Sequence, residues 1–389
     1  MRLFKNSLHL TLALALFGAG TAAAVDPVFD PSRLHEVKVE IDPADWAALK
    51  ATFQTNQYYA ANVTIDGEQV RQVGIRSRGK GSRSGTKPGI KIDMNKYVAG
   101  QAFHSYKSIQ VLNSIQDASF LHDLLTYSVY EAVGIAAPQI APTKMFVNGD
   151  YVGLYLLEES VEKQFLRTRV GEDGGTLYKY EYTVPYTLTY KNDSVSAYVP
   201  DPFKPETNDS SFDSGLADFI KAVNQTPQST FTQTISSYID PQKVLTYLAV
   251  ENAVAEYDGF VGEFGLNNFY LYQLAGTKKF MLIPWDKDGS FHAAEWPVLQ
   301  RLDANELTKR LIVDPALKSY YLSQVKAIAT NFVTTAFLSA KVDQIYPIFK
   351  DAAFSDPLKP YSSADIEASI AGLKGLIAAR AGNVTAQIP

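Results

Sequence analysis

The chain of 389 residues carries 36 Lys and Arg against 41 Asp and Glu, a formal charge of −5, and no cysteine. The missing cysteines exclude a disulfide framework and thiolate-bound zinc or iron–sulfur centres, and the acidic balance excludes a general basic face for nucleic acid or anionic membrane. With 46% hydrophobic and 12% aromatic residues, the chain has apolar material for one large core or two ordinary ones.

The first residues have the layout of a cleaved secretory leader: basic Arg2 and Lys5, an apolar run from Leu8 to Phe17, and small residues ending at Ala24. The run is too short to span a membrane, and no apolar stretch of spanning length follows. The expected mature protein is therefore exported, secreted or held at the periplasm or cell surface, and starts near Val25. From Val37 to Met94 the pattern is mainly strand. "VKVEI" alternates, Asp42-Pro43 opens a short helix through Trp46 and Leu49, and Asp66-Gly67 makes a hairpin turn. Residues 118–133 carry Leu121, Leu124, Leu125, Val129 and Val133 at helical spacing and close at Gly134. Two strands joined at Asn148-Gly149 follow.

Residues 182–214, rich in Tyr, Asn, Asp, Ser and Pro, read as a long surface excursion. Asp240-Pro241 then opens a helix, and "NNFYLYQLA" and "FMLIPWD" form a hairpin turned at Gly276-Thr277-Lys278. The last ninety residues or so read as helices, the final one opened by Ser362-x-x-Asp365.

"LIPWDKDGSF" places Asp286 and Asp288 at the end of an apolar strand, where unpaired acids cost desolvation. Upstream, Asp258 follows a helix, Asn267 and Asn268 open a strand, and Asp286 closes the next one. Phosphoryl-transfer enzymes of the protein-kinase type use this order: an acid to orient the acceptor hydroxyl, then an amide and an acid to hold divalent ions against phosphate. The spacing is looser than in ordinary kinases, nine residues from Asp258 to Asn267 and eighteen from Asn268 to Asp286, with neither His-Arg-Asp nor Asp-Phe-Gly present. The first half supplies a glycine-rich turn, Gly79-x-Gly81-x-x-x-Gly85, flanked by Arg76, Arg78, Lys80 and Arg83, with Lys91 in the next strand. Backbone N–H groups in such a turn approach phosphate, and a strand lysine adds a point charge. A plain flexible hairpin explains the turn equally well. A P-loop is excluded, because Gly81 stands where a hydroxyl should and a strand follows in place of a helix.

"RSRGKGSRSGTKPGIKIDM", "SFLHDLLTYSVYEAVG", "VNGDYVGLYLLEE", "TLYKY", "NNFYLYQ" and "IPWDKD" resemble, in order, the successive blocks of the CotH family, the atypical protein kinases of the spore-coat-protein-H type. The resemblance runs from about Val73 to His292. It implies an α+β, two-lobed, protein-kinase-like fold with a leader over 1–24, a β-rich N-lobe over 25–160 and a mostly helical C-lobe over 161–389 that carries a metal-binding hairpin. It further implies a secreted enzyme moving phosphate from ATP to Ser or Thr of exported surface or coat proteins, or of itself, with Mg²⁺ or Mn²⁺. Carried over by position, Lys91 matches the strand lysine, Glu158 or Glu159 the end of the strand leading to the hinge, Asn267 or Asn268 a metal ligand, and Trp285-Asp286 the family's Trp-Asp pair. On this reading Asp258 and Lys91 are catalytic. Arg76, Arg78, Gly79, Lys80, Gly81, Lys91, Glu158 and Trp285 meet the nucleotide, and Asn267, Asn268, Asp286 and Asp288 meet the metal. Two positions depart from the family pattern: His122, beside Asp123, stands where an arginine is usual, and Lys80 where an asparagine is. Lys179 lies in a matching block and has no assigned role.

Other readings remain. Asp286 and Asp288 fit a solvated turn, and Asp-x-Asp after an apolar strand also suits a metal-dependent glycosyltransferase acting on a nucleotide sugar. A scaffold of the same fold that binds surface or matrix partners without catalysis is the non-enzyme alternative. An EF-hand-type calcium loop fails, with Phe291 at its sixth position and Pro297 at its twelfth. No Gly-x-Ser-x-Gly elbow exists, and the five histidines are scattered.

Overall fold

The computed structural model describes residues 25–183, 185–207 and 215–388, so the expected leader lies outside the described residues. Seven strands close into a barrel: β1 (His35–Ile41), β2 (Tyr59–Ile65), β3 (Glu68–Arg78), β4 (Gly89–Asp93), β5 (Ser108–Leu112), β6 (Ile140–Val147) and β7 (Asp150–Glu159). They run in the order β1-β2-β3-β4-β5-β7-β6, and a parallel β1–β6 pairing among otherwise antiparallel ladders closes the ring. Period-two patterning decides what fills it. Val37, Val39, Val63, Val73, Ile75, Ile90, Ile92, Ile109, Val111, Met145, Tyr155 and Leu157 form one buried cluster. The residues between them, including Arg76, Lys91 and Glu158, therefore face outward. The alternation marks these strands in the sequence, but closure depends on the long-range β1–β6 pairing, which has no local signature.

The expected turns at Asp66-Gly67 and Asn148-Gly149 are formed, each with positive φ at both residues. Helix α1 is Pro43–Ala51, with Asp42 accepting a hydrogen bond from Ala44 N–H. Helix α2 is His122–Ala132, a turn later than the periodicity suggests. The delay has a cause: the Asp117 carboxylate accepts from Ser119, Leu121 and His122 N–H and holds residues 118–121 as a separate turn.

A second sheet, ordered β11-β10-β8-β9, combines β8 (Thr176–Tyr180), β9 (Phe203–Pro205), β10 (Phe269–Gln273) and β11 (Phe280–Pro284). Strand β9 corrects the expectation of a pure surface excursion over 182–214. Within that stretch Tyr186, Leu188, Tyr198 and Phe203 are buried, and β9 pairs along the edge of β8. The tyrosines carry the packing that a count of polar residues hides. The longer helices of the second half are α3 (Gly215–Gln225), α4 (Pro241–Ala253), α5 (Pro315–Asn331), α6 (Ala340–Ser355) and α7 (Ser363–Gln387), the last opened by the expected Ser362/Asp365 capping box. Their apolar faces share one large cluster with α2 and with one face of the second sheet. The opposite face of that sheet packs Tyr270, Ile283 and Trp285 against Val161 and Phe165.

One buried ion pair pins the barrel to the helices. Lys87 Nζ lies 2.7 Å from Asp356 Oδ2, just past α6, and 2.8 Å from the Leu154 carbonyl oxygen of β7. Both side chains are nearly inaccessible, at 1% and 0% exposure. Removing one member of such a pair strands a desolvated charge. Asp356→Ala should therefore cost about 3–5 kcal/mol in urea denaturation, and Lys87→Met added to it should recover most of that loss.

Candidate active site

Strand register assembles the first wall. Across β3, β4, β5 and β7, Arg76, Lys91, Gln110 and Glu158 stand side by side on the outside of the barrel. Arg78 shares that face two residues beyond Arg76. The facing wall is the second sheet, where Lys179, Tyr270 and Ile283 are in register and Trp285 follows on the same face. The Arg78 guanidinium lies 5.6 Å over the Trp285 ring, and Trp285 meets Tyr270 edge-on at 5.4 Å, so the two walls touch there.

Behind this contact the acids gather. Glu158 is 1% exposed. It accepts the Tyr127 hydroxyl proton at 2.9 Å, and Tyr127 in turn accepts the Asp286 N–H at 3.0 Å. Burial pushes the Glu158 carboxyl up to about 8 against the opposing pull of Arg78, and Asp286 adds to the rise. Asp123 accepts the Lys287 N–H, and burial with Glu158 and Asp286 nearby raises it well above the carboxylate range. Burial and Asp286 do the same to Asp288. His122 Nδ1 lies 2.8 Å from the Asp288 carbonyl, which can only accept, so Nδ1 carries the proton. His122 and Asp123 thus hold the 286–288 loop. Neither makes a described contact with Lys91.

The Asp258 turn meets the same loop from the other side. The Asp258 carboxylate accepts from Asn267 Nδ2 at 2.8 Å and Asn268 Nδ2 at 3.0 Å. Both amides therefore spend their N–H groups on Asp258, leaving their carbonyl oxygens for another partner. Burial raises Asp258, the Asn267 bond lowers it, and Asp286 raises it again. Asn268 and Asp286 both adopt left-handed backbone, each with φ 52, and Trp285 N–H reaches the Asn268 carbonyl at 3.3 Å. For non-glycine residues this conformation is sparsely populated, and it clusters at functional sites. Gly289 packs closely beneath the loop: a Cβ there would fall 2.7 Å from Glu256 Oε1 and would have to displace that carboxylate.

Below the turn, Glu256 accepts the Asp258 N–H at 2.8 Å and the Ser290 hydroxyl at 2.7 Å. Glu251 accepts from Phe260 and Val261 N–H and lies 2.7 Å from the fully buried Lys287 ammonium. Burial pushes Glu256 up to about 7 while Lys287 pulls it down. The sequence reading did not single out Tyr127, Glu251, Glu256 or Lys287. The two glutamates in the apolar run "YLAVENAVAEYD" were the available sign.

Arg78, Glu158, Asp258, Asn267, Asn268, Trp285, Asp286 and Asp288 thus converge. The remaining candidates stand apart from them. Arg76 donates to Asn56 and to the Ser77 carbonyl. Lys80 lies 5.0 Å from the Tyr182 ring. Gly79, at φ 101, and Gly81 lie in a turn strapped by Arg83, which donates to the carbonyls of Gly79, Phe53 and Thr55. Lys91 is lowered by burial, and the charges acting on it most strongly are Glu206, Arg76, Glu162 and Asp93. Glu162 and Glu206 line a neighbouring cavity of 340 Å³.

Among the described residues, no three His, Cys, Asp or Glu side chains come together closely enough to cage a metal alone. The oxygen donors Asp286, Asn267 and Asn268 instead suit a hard cation that completes its shell with water and phosphate, the habit of Mg²⁺ and Mn²⁺. No helix of the described residues is long and apolar enough to cross a membrane.

The family model described as CotH kinase protein matches residues 75–384. The inner spore coat protein H of Bacillus subtilis (strain 168) is 23% identical over 345 residues, which is 86% of this chain and 91% of the relative.

The raised carboxyls fix a pH dependence. Glu158 at about 8 and Glu256 at about 7 lie above their ordinary 4.5, so the folded chain binds more protons than the unfolded one between those values. Their contribution to stability is full below about 4.5 and is lost as pH rises through 7 to 8, at up to about 1.4 kcal/mol per pH unit for each group. Urea denaturation of the metal-free protein at pH 5.5 and 8 should show this fall, and Glu158→Gln should flatten it.

Proposed function

The chain belongs to the CotH kinase family, and from that premise we propose that it is an exported protein kinase that transfers the γ-phosphoryl group of ATP to serine or threonine hydroxyls of surface or coat proteins. The observation that carries this reading is the meeting of Asp258, Asn267, Asn268 and Asp286 around one hairpin, in the order that protein-kinase-type enzymes use. The barrel is read as the β-rich lobe, and the second sheet with its helices as the other. The leader-like first residues, and a spore coat protein among the relatives, favour action outside the cytoplasm.

Asp258 is the proposed base. Its carboxylate takes the acceptor proton as the hydroxyl oxygen bonds to the γ-phosphorus and the bond from that phosphorus to the bridging oxygen breaks, leaving ADP. Asn267 and Asn268 orient Asp258 through their amide N–H groups. Asp286, with Asp288 beside it and the two asparagine carbonyls, would hold Mg²⁺ or Mn²⁺. When bound, such an ion neutralises phosphate charge. Arg78 stands on the barrel wall to meet phosphate, and the Tyr127 hydroxyl fixes the Asp286 backbone.

Incubating the protein with labelled ATP and Mg²⁺ or Mn²⁺ tests the reading, with label scored on the protein itself and on a Ser/Thr-rich acceptor. Asp286→Ala should fold normally and lose metal-dependent nucleotide binding; unchanged nucleotide affinity would remove Asp286 from the site. Asp258→Asn should bind nucleotide and lose about 10²–10⁴-fold in turnover, because it cannot accept the proton. Full turnover in that variant would exclude Asp258 as base.

A further inference from the structure

Two cations face each other across the cleft with few protein partners. Arg78, on the barrel wall, is 9% exposed, and among the described residues nothing accepts a hydrogen bond from its guanidinium; it lies 5.6 Å over the Trp285 face and acts on the buried Glu158 through charge alone. Lys179, on the opposing sheet, has a side chain only 32% exposed. Its nearest carboxylate oxygen, on Glu181, lies 3.8 Å away, longer than a hydrogen bond. Lys179 is aligned with Tyr270, and Tyr270 touches Trp285, so the lysine lies on the wall that Arg78 covers. Burial lowers Lys179, Glu181 and Glu206 pull it back, Arg78 lowers it further, and Asp286 raises it. Holding two cations against each other away from water costs free energy, which a multiply charged anion between them offsets. Lys91 is placed differently: Glu206, Arg76, Glu162 and Asp93 dominate its surroundings, and Asp286 is not among them.

We propose that Arg78 and Lys179 form a polyphosphate clamp drawn from both walls of the cleft, and that Lys179, not Lys91, supplies the lysine charge to the phosphates. The clamp gives the nucleotide phosphates of the proposed kinase their place, and to that extent it rests on the kinase reading. Lys179 extends from the sheet that carries Asp286 at its exit, so charge and metal ligands reach the phosphate chain from one rigid element. Arg78 closes over it from the barrel.

The test is calorimetric titration of the full chain with inorganic tripolyphosphate and, separately, with ATP plus Mg²⁺. Lys179→Met and Arg78→Met should each weaken tripolyphosphate binding by about tenfold or more, Lys179→Arg should retain it, and Lys91→Met should change it by about threefold at most. Lys179 is partly exposed, so Lys179→Met should keep the wild-type unfolding transition. Wild-type affinity in Lys179→Met with the loss appearing in Lys91→Met overturns the assignment, as does a wild-type chain that ignores tripolyphosphate. Lys179-dependent binding of tripolyphosphate without binding of ATP leaves the clamp standing and removes the kinase reading.

Discussion

The buried Lys287 ammonium is the constraint on which the site depends. It sits between Asp286 and Asp288 in sequence, yet its side chain turns inward to Glu251 at 2.7 Å with both groups out of water. An ion pair so placed is stabilising only when its remaining hydrogen-bonding capacity is met. Glu251 meets it by accepting two backbone N–H groups, Phe260 and Val261, in the turn after Asp258. One lysine thereby ties the 286–288 loop to the Asp258 turn, two segments separated by a whole hairpin. Without the ammonium, Glu251 and Glu256 would be two buried acids with no cation between them.

From this anchor follows the electrostatic character of the cleft. Lys287 is committed below, so of the acids above it Glu158 is drawn to Arg78 and Asp286 to Lys179, while Asp123 and Asp288 face mainly other acids. Burial, and then their mutual repulsion, raises Asp123, Glu158 and Asp288. In the proposed kinase, a cleft with excess carboxylate, hard oxygen donors and two lightly paired cations would receive a divalent ion carrying a polyanion, the acids facing the ion and the cations the anion.

Much of this could be read in the sequence, where the signal was local. Turns at Asp66-Gly67 and Asn148-Gly149, the Ser362 capping box and the alternation of "VKVEI" in β1 follow from patterns a few residues long. Asn267, Asn268 and Asp286 were legible as neighbours because they flank one hairpin, and Asp258 by its position between the preceding helix and that hairpin rather than by any motif. What the sequence hid is non-local. Barrel closure needs β1 beside β6, and Lys87 finds Asp356 across 269 residues. Lys287 read as the spacer of an Asp-x-Asp pair, although its ammonium is the inward anchor. The placement of Lys91 followed the kinase template, whereas Lys179, in a block of equal likeness, shows its proximity to Asp286 only once β8 and β10 are paired.

The departure from the family pattern at His122, at the start of α2, has a physical role here. An arginine at position 122 would bring another cation to the acids; His122 instead donates one hydrogen bond to the Asp288 carbonyl and stacks edge-on against Phe291 at 5.5 Å. Asp123 takes the Lys287 N–H, and Asp117 orders the turn before both. The helix start thus acts on the backbone of the 286–288 loop rather than on its charge. Held from α2 at Lys287 N–H and the Asp288 carbonyl, from Tyr127 at Asp286 N–H and from Glu251 at the Lys287 ammonium, the loop keeps Asp286 in a left-handed conformation that an unsupported chain would leave. That four-point support is what the proposed phosphoryl-transfer site would need, since positioning and fixed charge supply most of the catalysis in such sites.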